Sequence, residues 1–161
     1  MTQLEEQLAE ALALLHRMRD CEAVKQVLVV YARALDERNW ELLKSCFTPD
    51  AVIEGSIDTL KIDLALARTQ RLAVQYARTM HYLTNHNVTV TGDCATSNCY
   101  VFAGHWKGDP PGTPHPDDLF GGVEYADELK RIDGRWYIDY RRVVAGWRLG
   151  PQPHEMRRPA Q

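Results

Sequence analysis

Apolar positions recur at a helical period from the start of the chain. Leu4, Leu8, Leu12 and Leu15 form one stripe, with Thr2 placed to cap it and Glu5 three residues on to complete a capping box. Asp20 predicts a second helix start. Val24, Val27, Leu28, Tyr31 and Leu35 then give an apolar stripe over a helix running from about Cys21 to Arg38. Asn39 is positioned to cap a short helix from Trp40 to Phe47, which Thr48-Pro49-Asp50 ends. Ala51 to Ser56 reads as a short strand. Asp63 to Arg78, rich in Ala, Leu, Arg and Gln, reads as a further helix. The pattern then becomes strand-like. His81 to Val90 and Ala95 to Lys107 are joined at Thr91-Gly92-Asp93, and Phe120 to Ile132 and Trp136 to Val144 are joined at Asp133-Gly134, a hairpin signal. Helices first and strands afterwards predict an α+β fold in which one sheet face packs on helices. If the sheet curls, its other face lines a pocket.

Two segments fall outside this pattern. Residues 108–118 carry Pro110, Pro111, Pro114 and Pro116 and predict a stiff loop, suited to a lid or an intersubunit arm. From Pro151 the chain predicts an irregular tail, so the domain spans 1–150 and the tail 151–161.

Composition removes several function classes. The 161 residues suit one domain with a real core. Nineteen Lys and Arg against 22 Asp and Glu leave a net charge of -3, with no basic footprint for nucleic acid or an anionic membrane. The acidic start and the lack of a long apolar run predict a cytoplasmic protein without a membrane span. Cys21, Cys46, Cys94 and Cys99 form no Cys-x-x-Cys and read as reduced, mostly buried thiols. The six histidines show no metal spacing; His154-Glu155 begins a zinc motif but lacks its second histidine. Neither a metal nor a cofactor is expected.

Candidate chemistry rests on a few polar residues. Asp36 lies near the end of the second predicted helix and His81 opens the first long strand. Taken alone, these are a solvated carboxylate and a buried histidine. Tyr31 completes an apolar stripe, so a core role suits it equally. Tyr100, Phe102 and Trp106 share one parity, which fits either a hydrophobic pocket wall or packing under the helices; His105 falls on the other face from Trp106. Glu54, Asp127 and the group Asn85, His86 and Asn87 are weaker candidates.

A family resemblance changes the weight of these residues. Tyr31-Ala32-Arg33-Ala34-Leu35-Asp36, then Asn39-Trp40, then Phe47-Thr48-Pro49-Asp50-Ala51-Val52, resemble the opening of a SnoaL-like domain, within the nuclear-transport-factor-2-like superfamily. Thr79-Met80-His81-Tyr82, Gly121-Gly122-Val123-Glu124-Tyr125 and Ile132-Asp133-Gly134-Arg135-Trp136-Tyr137-Ile138 are similar to its later strands, so the likeness covers about Leu4 to Trp147. It implies a cone-shaped α+β barrel enclosing a pocket. The chain also looks like the family's aspartate–histidine lyases: scytalone dehydratase, bile-acid 7α-dehydratase and hexachlorocyclohexane dehydrochlorinase. That implies catalysis by His81 and Asp36, with Tyr31 as an oxyanion stabiliser, acting on a hydrophobic, cyclic, steroid- or polyketide-like substrate. Gly55 stands where the bile-acid enzyme has an active-site tyrosine, which speaks against bile acids. A C-terminal-strand arginine recurs in these enzymes; Arg141, Arg142 and Arg148 all lie in that region. The resemblance also implies a homo-oligomer, trimer or dimer. Epoxide hydrolysis through an Asp–Arg–Asp arrangement, which a histidine at 81 disfavours, and a non-catalytic binding or assembly module occur on the same fold.

Overall fold

The computed structural model describes residues 2–110 and 113–151. Helix α1 (Gln3–Asp36) is one continuous element of 34 residues, where two were expected. Its start is the predicted capping box: the Thr2 backbone N–H donates to Glu5 Oε2 at 2.8 Å, and the Glu5 N–H donates to Thr2 Oγ1 at 3.3 Å. No Gly or Pro interrupts the stretch, so Asp20 never acts as a cap. It pairs instead with Arg131 at 3.0 Å, while Arg131 also holds Asp93 at 2.8 Å. This tie marks where α1 leaves the body, because every residue from Thr2 to Arg19 is exposed. The predicted leucine stripe is therefore not core, whereas Val24, Leu28, Tyr31 and Leu35 are buried.

The end of α1 is set by Arg38, which adopts φ 56°. Left-handed backbone stops a helix, and here the Arg38 N–H donates to the Leu35 carbonyl and the Asn39 N–H to that of Ala34. The Arg38 guanidinium donates to the carbonyls of Ala73, Tyr76 and Ala77. This closure pins the last turn of α1, and Asp36 with it, against the segment that leads into the sheet. Asn39 then caps α2 (Trp40–Lys44), its side chain accepting from the Leu42 N–H at 3.1 Å.

Strand β1 (Phe47–Glu54) starts earlier than expected, and a short β2 (Thr59–Lys61), which the sequence did not signal, pairs with it before α3 (Ile62–Ala73). The four long strands follow: β3 (Arg78–Thr91), β4 (Cys94–Trp106), β5 (Leu119–Ile132) and β6 (Arg135–Leu149). The Asp133-Gly134 turn has both residues at positive φ, 49° and 78°, as a tight hairpin demands. The sheet order is β2-β1-β6-β5-β4-β3, with β1 and β6 parallel and the other pairs antiparallel. The sheet is thus mixed, curved and unclosed: β2 and β3 are free edges and the barrel does not seal. Its inner face carries Cys99, Val101, Tyr125, Leu129 and Ile138 against α1. Cys46 and Cys99 are buried, Cys21 is half-buried and Cys94 exposed, all as free thiols. Burial pushes the Cys46 and Cys99 thiols up to about 11.

One bulge governs the inner face. Thr84 pairs with Tyr100 but Asn87 with Asn98, so β3 carries one extra residue there, and Asn85 takes φ 55°. The bulge shifts the inward parity of β3 from Thr79, His81 and Leu83 to Val88 and Val90. In the proline-rich connection, Asp118 accepts from the backbone N–H groups of Lys107 and His115. Residues 111 and 112 and the tail from 152 lie outside the described residues.

Candidate functional site

The structure brings Asp36 and His81 together. His81 Nδ1 lies 2.6 Å from Asp36 Oδ1, and the His81 backbone N–H donates to Asp36 Oδ2 at 2.8 Å. The Thr79 hydroxyl donates to Oδ1 at 2.9 Å. Burial alone would raise the Asp36 carboxyl. The bonds and charge of His81 and the Thr79 hydroxyl outweigh burial and hold it below the ordinary carboxylate range. An ionised Asp36 accepts from the Nδ1 proton, which leaves Nε2 as the nitrogen able to accept another. Nε2 makes no hydrogen bond among the described residues. The pair lines a cleft of about 440 Å³ between the last turns of α1 and the free edge of β3. Val29, Ala32 and Leu83 give it apolar walls, and Arg33, Glu37 and Arg78 a charged rim.

His105 belongs to this group, although its sequence position gave it little weight. Its ring centroid is 5.5 Å from that of His81, nearly perpendicular to it, and 5.0 Å from Tyr76. Burial, aided by the neighbouring His81, pushes its pKa down to about 4. It is therefore neutral near pH 7. Its Nδ1 is buried without a hydrogen-bond partner, an unmet polar capacity beside the dyad.

Tyr31 lies elsewhere. It is 8% exposed, packs edge-on against Phe47 and Tyr125, and shares a hydrogen bond with the Tyr125 hydroxyl. It sits over Arg141, whose guanidinium carbon lies 4.1 Å from the Tyr31 ring centroid and 4.0 Å from that of Tyr125. Arg141 is 1% exposed and makes a bidentate pair with the buried Asp127 at 2.7 and 2.8 Å. Burial opposes its charge, but the Asp127 charge and hydrogen bonds outweigh burial and hold Arg141 protonated. Tyr31, Arg141 and Asp127 thus form a sealed polar layer in the core, and Arg141 does not open onto the cleft.

The other two arginines separate by register. Arg142 pairs with Ala126, on the outer face. Arg148 pairs with Gly121, Gly121 with Ala103, and Ala103 with His81. Arg148 therefore shares the inner-face row of His81, three strands away. The two residues between them are the small Ala103 and Gly121, which leave a low shelf; a Cβ added at Gly121 would meet only the Trp147 carbonyl oxygen, at 3.5 Å. Arg148 is exposed and makes no hydrogen bond or ion pair among the described residues.

Tyr100, Phe102 and Trp106 are on the opposite sheet face from His81, so they line no pocket with it and pack under no helix. Tyr100 is 58% and Phe102 42% exposed. Phe102 instead meets Tyr82, Phe120 and Trp147 in an outer aromatic cluster, with Trp106 edge-on to Phe120. Glu54 accepts from the Tyr140 hydroxyl and faces no dyad residue. Among the described residues no group of His, Cys, Asp and Glu is arranged to hold a metal ion, and no helix is long and apolar enough to cross a membrane.

Comparison with known proteins agrees with this architecture. The SnoaL-like domain family matches residues 16–142. An uncharacterised protein of Mycobacterium tuberculosis is 36% identical over 131 residues, covering 74% of this chain and 80% of that protein. The terrestric acid biosynthesis cluster protein E of Penicillium crustosum is 28% identical over 136 residues, covering 83% and 87%. Among solved structures, a scytalone dehydratase-like protein of Novosphingobium aromaticivorans superposes with a TM-score of 0.75 at 17% identity, covering 89% of this chain and 95% of that one. A hexachlorocyclohexane dehydrochlorinase, LinA type 2, gives 0.71 at 20% identity, covering 89% and 97%. At such identities the structural likeness speaks for the fold. The matched family, spanning most of the chain, and the 36% relative speak for descent: this chain belongs to the SnoaL-like domain family.

Proposed function

We propose that the chain is a cofactor-independent lyase or isomerase acting on a hydrophobic cyclic small molecule, with His81 as general acid–base and Asp36 as its positioning partner. The observation that carries this reading is the 2.6 Å contact between His81 Nδ1 and Asp36, inside a cleft and with Nε2 left unpaired. In this reading Nε2 takes a proton from a carbon next to a carbonyl. Asp36 holds the tautomer and stabilises the imidazolium that forms. The proton then returns to the departing oxygen or to another carbon. Arg148 faces a polar substituent at the far end of the substrate across the Ala103–Gly121 shelf. Three strand spacings, roughly 14 Å, separate the two ends of that row, a span that suits a fused-ring substrate. Relatives named for a biosynthesis cluster and a dehydrochlorinase are in keeping with small-molecule chemistry. Epoxide hydrolysis draws no support, because Arg141 pairs with Asp127 alone among the described residues and both are buried.

The test is turnover of alicyclic β-hydroxy ketones and steroid-like hydroxy-enones. His81→Ala and Asp36→Asn should each lower kcat by about 10²–10⁴, with circular dichroism unchanged. Folded His81→Ala with near-wild-type turnover would falsify the dyad. Binding without turnover across the panel would favour a ligand-binding module.

A further inference from the structure

The first half of α1 carries an apolar face that none of the described residues buries. Leu4, Leu8, Leu15 and Met18 are 74%, 59%, 59% and 60% exposed. The overhang from Gln3 to Arg19 is about 25 Å of helix. At 100° per residue, its stripe (Leu4, Leu8, Ala11, Leu15, Met18) is centred about 150° around the axis from the core-facing stripe of Val24, Leu28, Tyr31 and Leu35. The sheet that covers the second stripe is on the wrong side to cover the first. The spacing of the first stripe is 4, 3, 4, 3, the a/d seam of a coiled coil. Leu12 and Leu14 widen it on either side.

We propose that this overhang docks on the same segment of a second copy of the chain, antiparallel, around a two-fold axis near residue 13. Charge selects the direction. Glu5, Glu6 and Glu10 occupy the first turns, and His16, Arg17 and Arg19 the later ones. A parallel pair sets acid on acid and base on base; an antiparallel pair sets each acidic end on a basic one. The seam closes in the same register: Leu8 meets Met18 of the second copy, Ala11 meets Leu15, and Leu12 meets Leu12 at the axis. The flanking positions then bring Glu5 opposite Arg19 of the second copy, twice per dimer. Such a contact is isologous and closed, so it stops at two subunits. It leaves the cleft at the far end of α1 free.

The test is sedimentation equilibrium of the full chain at 10–100 μM, a range set on the order of typical micromolar association. The expected mass is twice 18.4 kDa. Leu8→Asp with Leu15→Asp should halve it without changing the strand signal in circular dichroism. Because that variant also weakens the overhang as a helix, a charge pair supplies an independent reading. Arg19→Glu, which leaves the Thr2–Glu5 capping box intact, should weaken association roughly tenfold, and adding Glu5→Lys on the same chain should restore it. A monomeric wild type would overturn the proposal. So would an undiminished mass for Leu8→Asp/Leu15→Asp, which would move self-association to another surface such as the outer aromatic face. Failure of the charge swap to restore association would overturn the antiparallel pairing.

Discussion

At the scale of single residues, two neighbouring imidazoles, His81 in the cleft and His105 behind it, stand in contrasting surroundings. His81 has a carboxylate on one nitrogen. His105, 5.5 Å away, has no partner on its buried Nδ1 and is pushed down to about 4. In the unfolded chain a histidine titrates near 6.5. A group depressed by folding binds more protons when unfolded, so its contribution to stability is fully present above 6.5 and is lost as pH falls toward 4. The full loss amounts to about 3 kcal/mol. Asp36, held below its ordinary range, has the same sign but acts in a lower window, as pH falls through the carboxylate region. Urea unfolding at a series of pH values between 7.5 and 4 should therefore show stability declining on the acid side. His105→Gln should flatten that decline. An unaltered slope in the variant would mean that the imidazole is not kept neutral by the fold.

At the scale of elements, one residue in β3 decides what faces the cleft. The helix periods, the caps at Thr2 and Asn39 (though not the one expected at Asp20) and the Asp133-Gly134 hairpin were legible because each rests on local chemistry: a capping side chain, a 3.6-residue repeat, a pair of residues tolerant of positive φ. Asp36 and His81 were legible only by resemblance, since nothing local distinguishes them from a surface acid and a core histidine. The face of β4 was not legible. Counting back from the Gly92-Asp93 turn without interruption sets His81 opposite Gly104, on the face of Tyr100, Phe102 and Trp106. The bulge at Asn85 moves it opposite Ala103, on the face of His105. The bulky aromatics misled further, because the inner face here is made of small residues such as Ala95, Ser97 and Cys99. Asn85→Val, whose β-branched side chain disfavours the left-handed backbone of the bulge, should favour the uninterrupted register, turn His81 away from Asp36 and lower turnover in a chain that still folds. Asn85→Gly keeps the left-handed backbone at no steric cost and should leave activity within about twofold. If Asn85→Val retained both fold and full activity, the bulge would have no part in aiming His81.

At the scale of the whole molecule, the chain divides into a self-sufficient body and an overhang that is not. Nothing between Gln3 and Arg19 enters the core, and the last tie of α1 before the overhang is Asp20 to Arg131. The body should therefore not depend on the overhang for its own stability. A chain beginning at Asp20 should unfold cooperatively, with a midpoint independent of protein concentration. The full chain should behave differently if its overhang pairs with a second copy, because association with the folded state alone raises the apparent midpoint by mass action. Scanning calorimetry of both chains over a hundredfold range of concentration separates the two contributions. Agreement at the dilute end, with only the full chain rising, is the expected result. A shortened chain that melts without cooperativity would show that the overhang supports the body in a way its exposed side chains do not reveal. A midpoint that rises with concentration in both chains would place the association on the sheet, where Tyr82, Phe102 and Trp147 form the other large apolar surface.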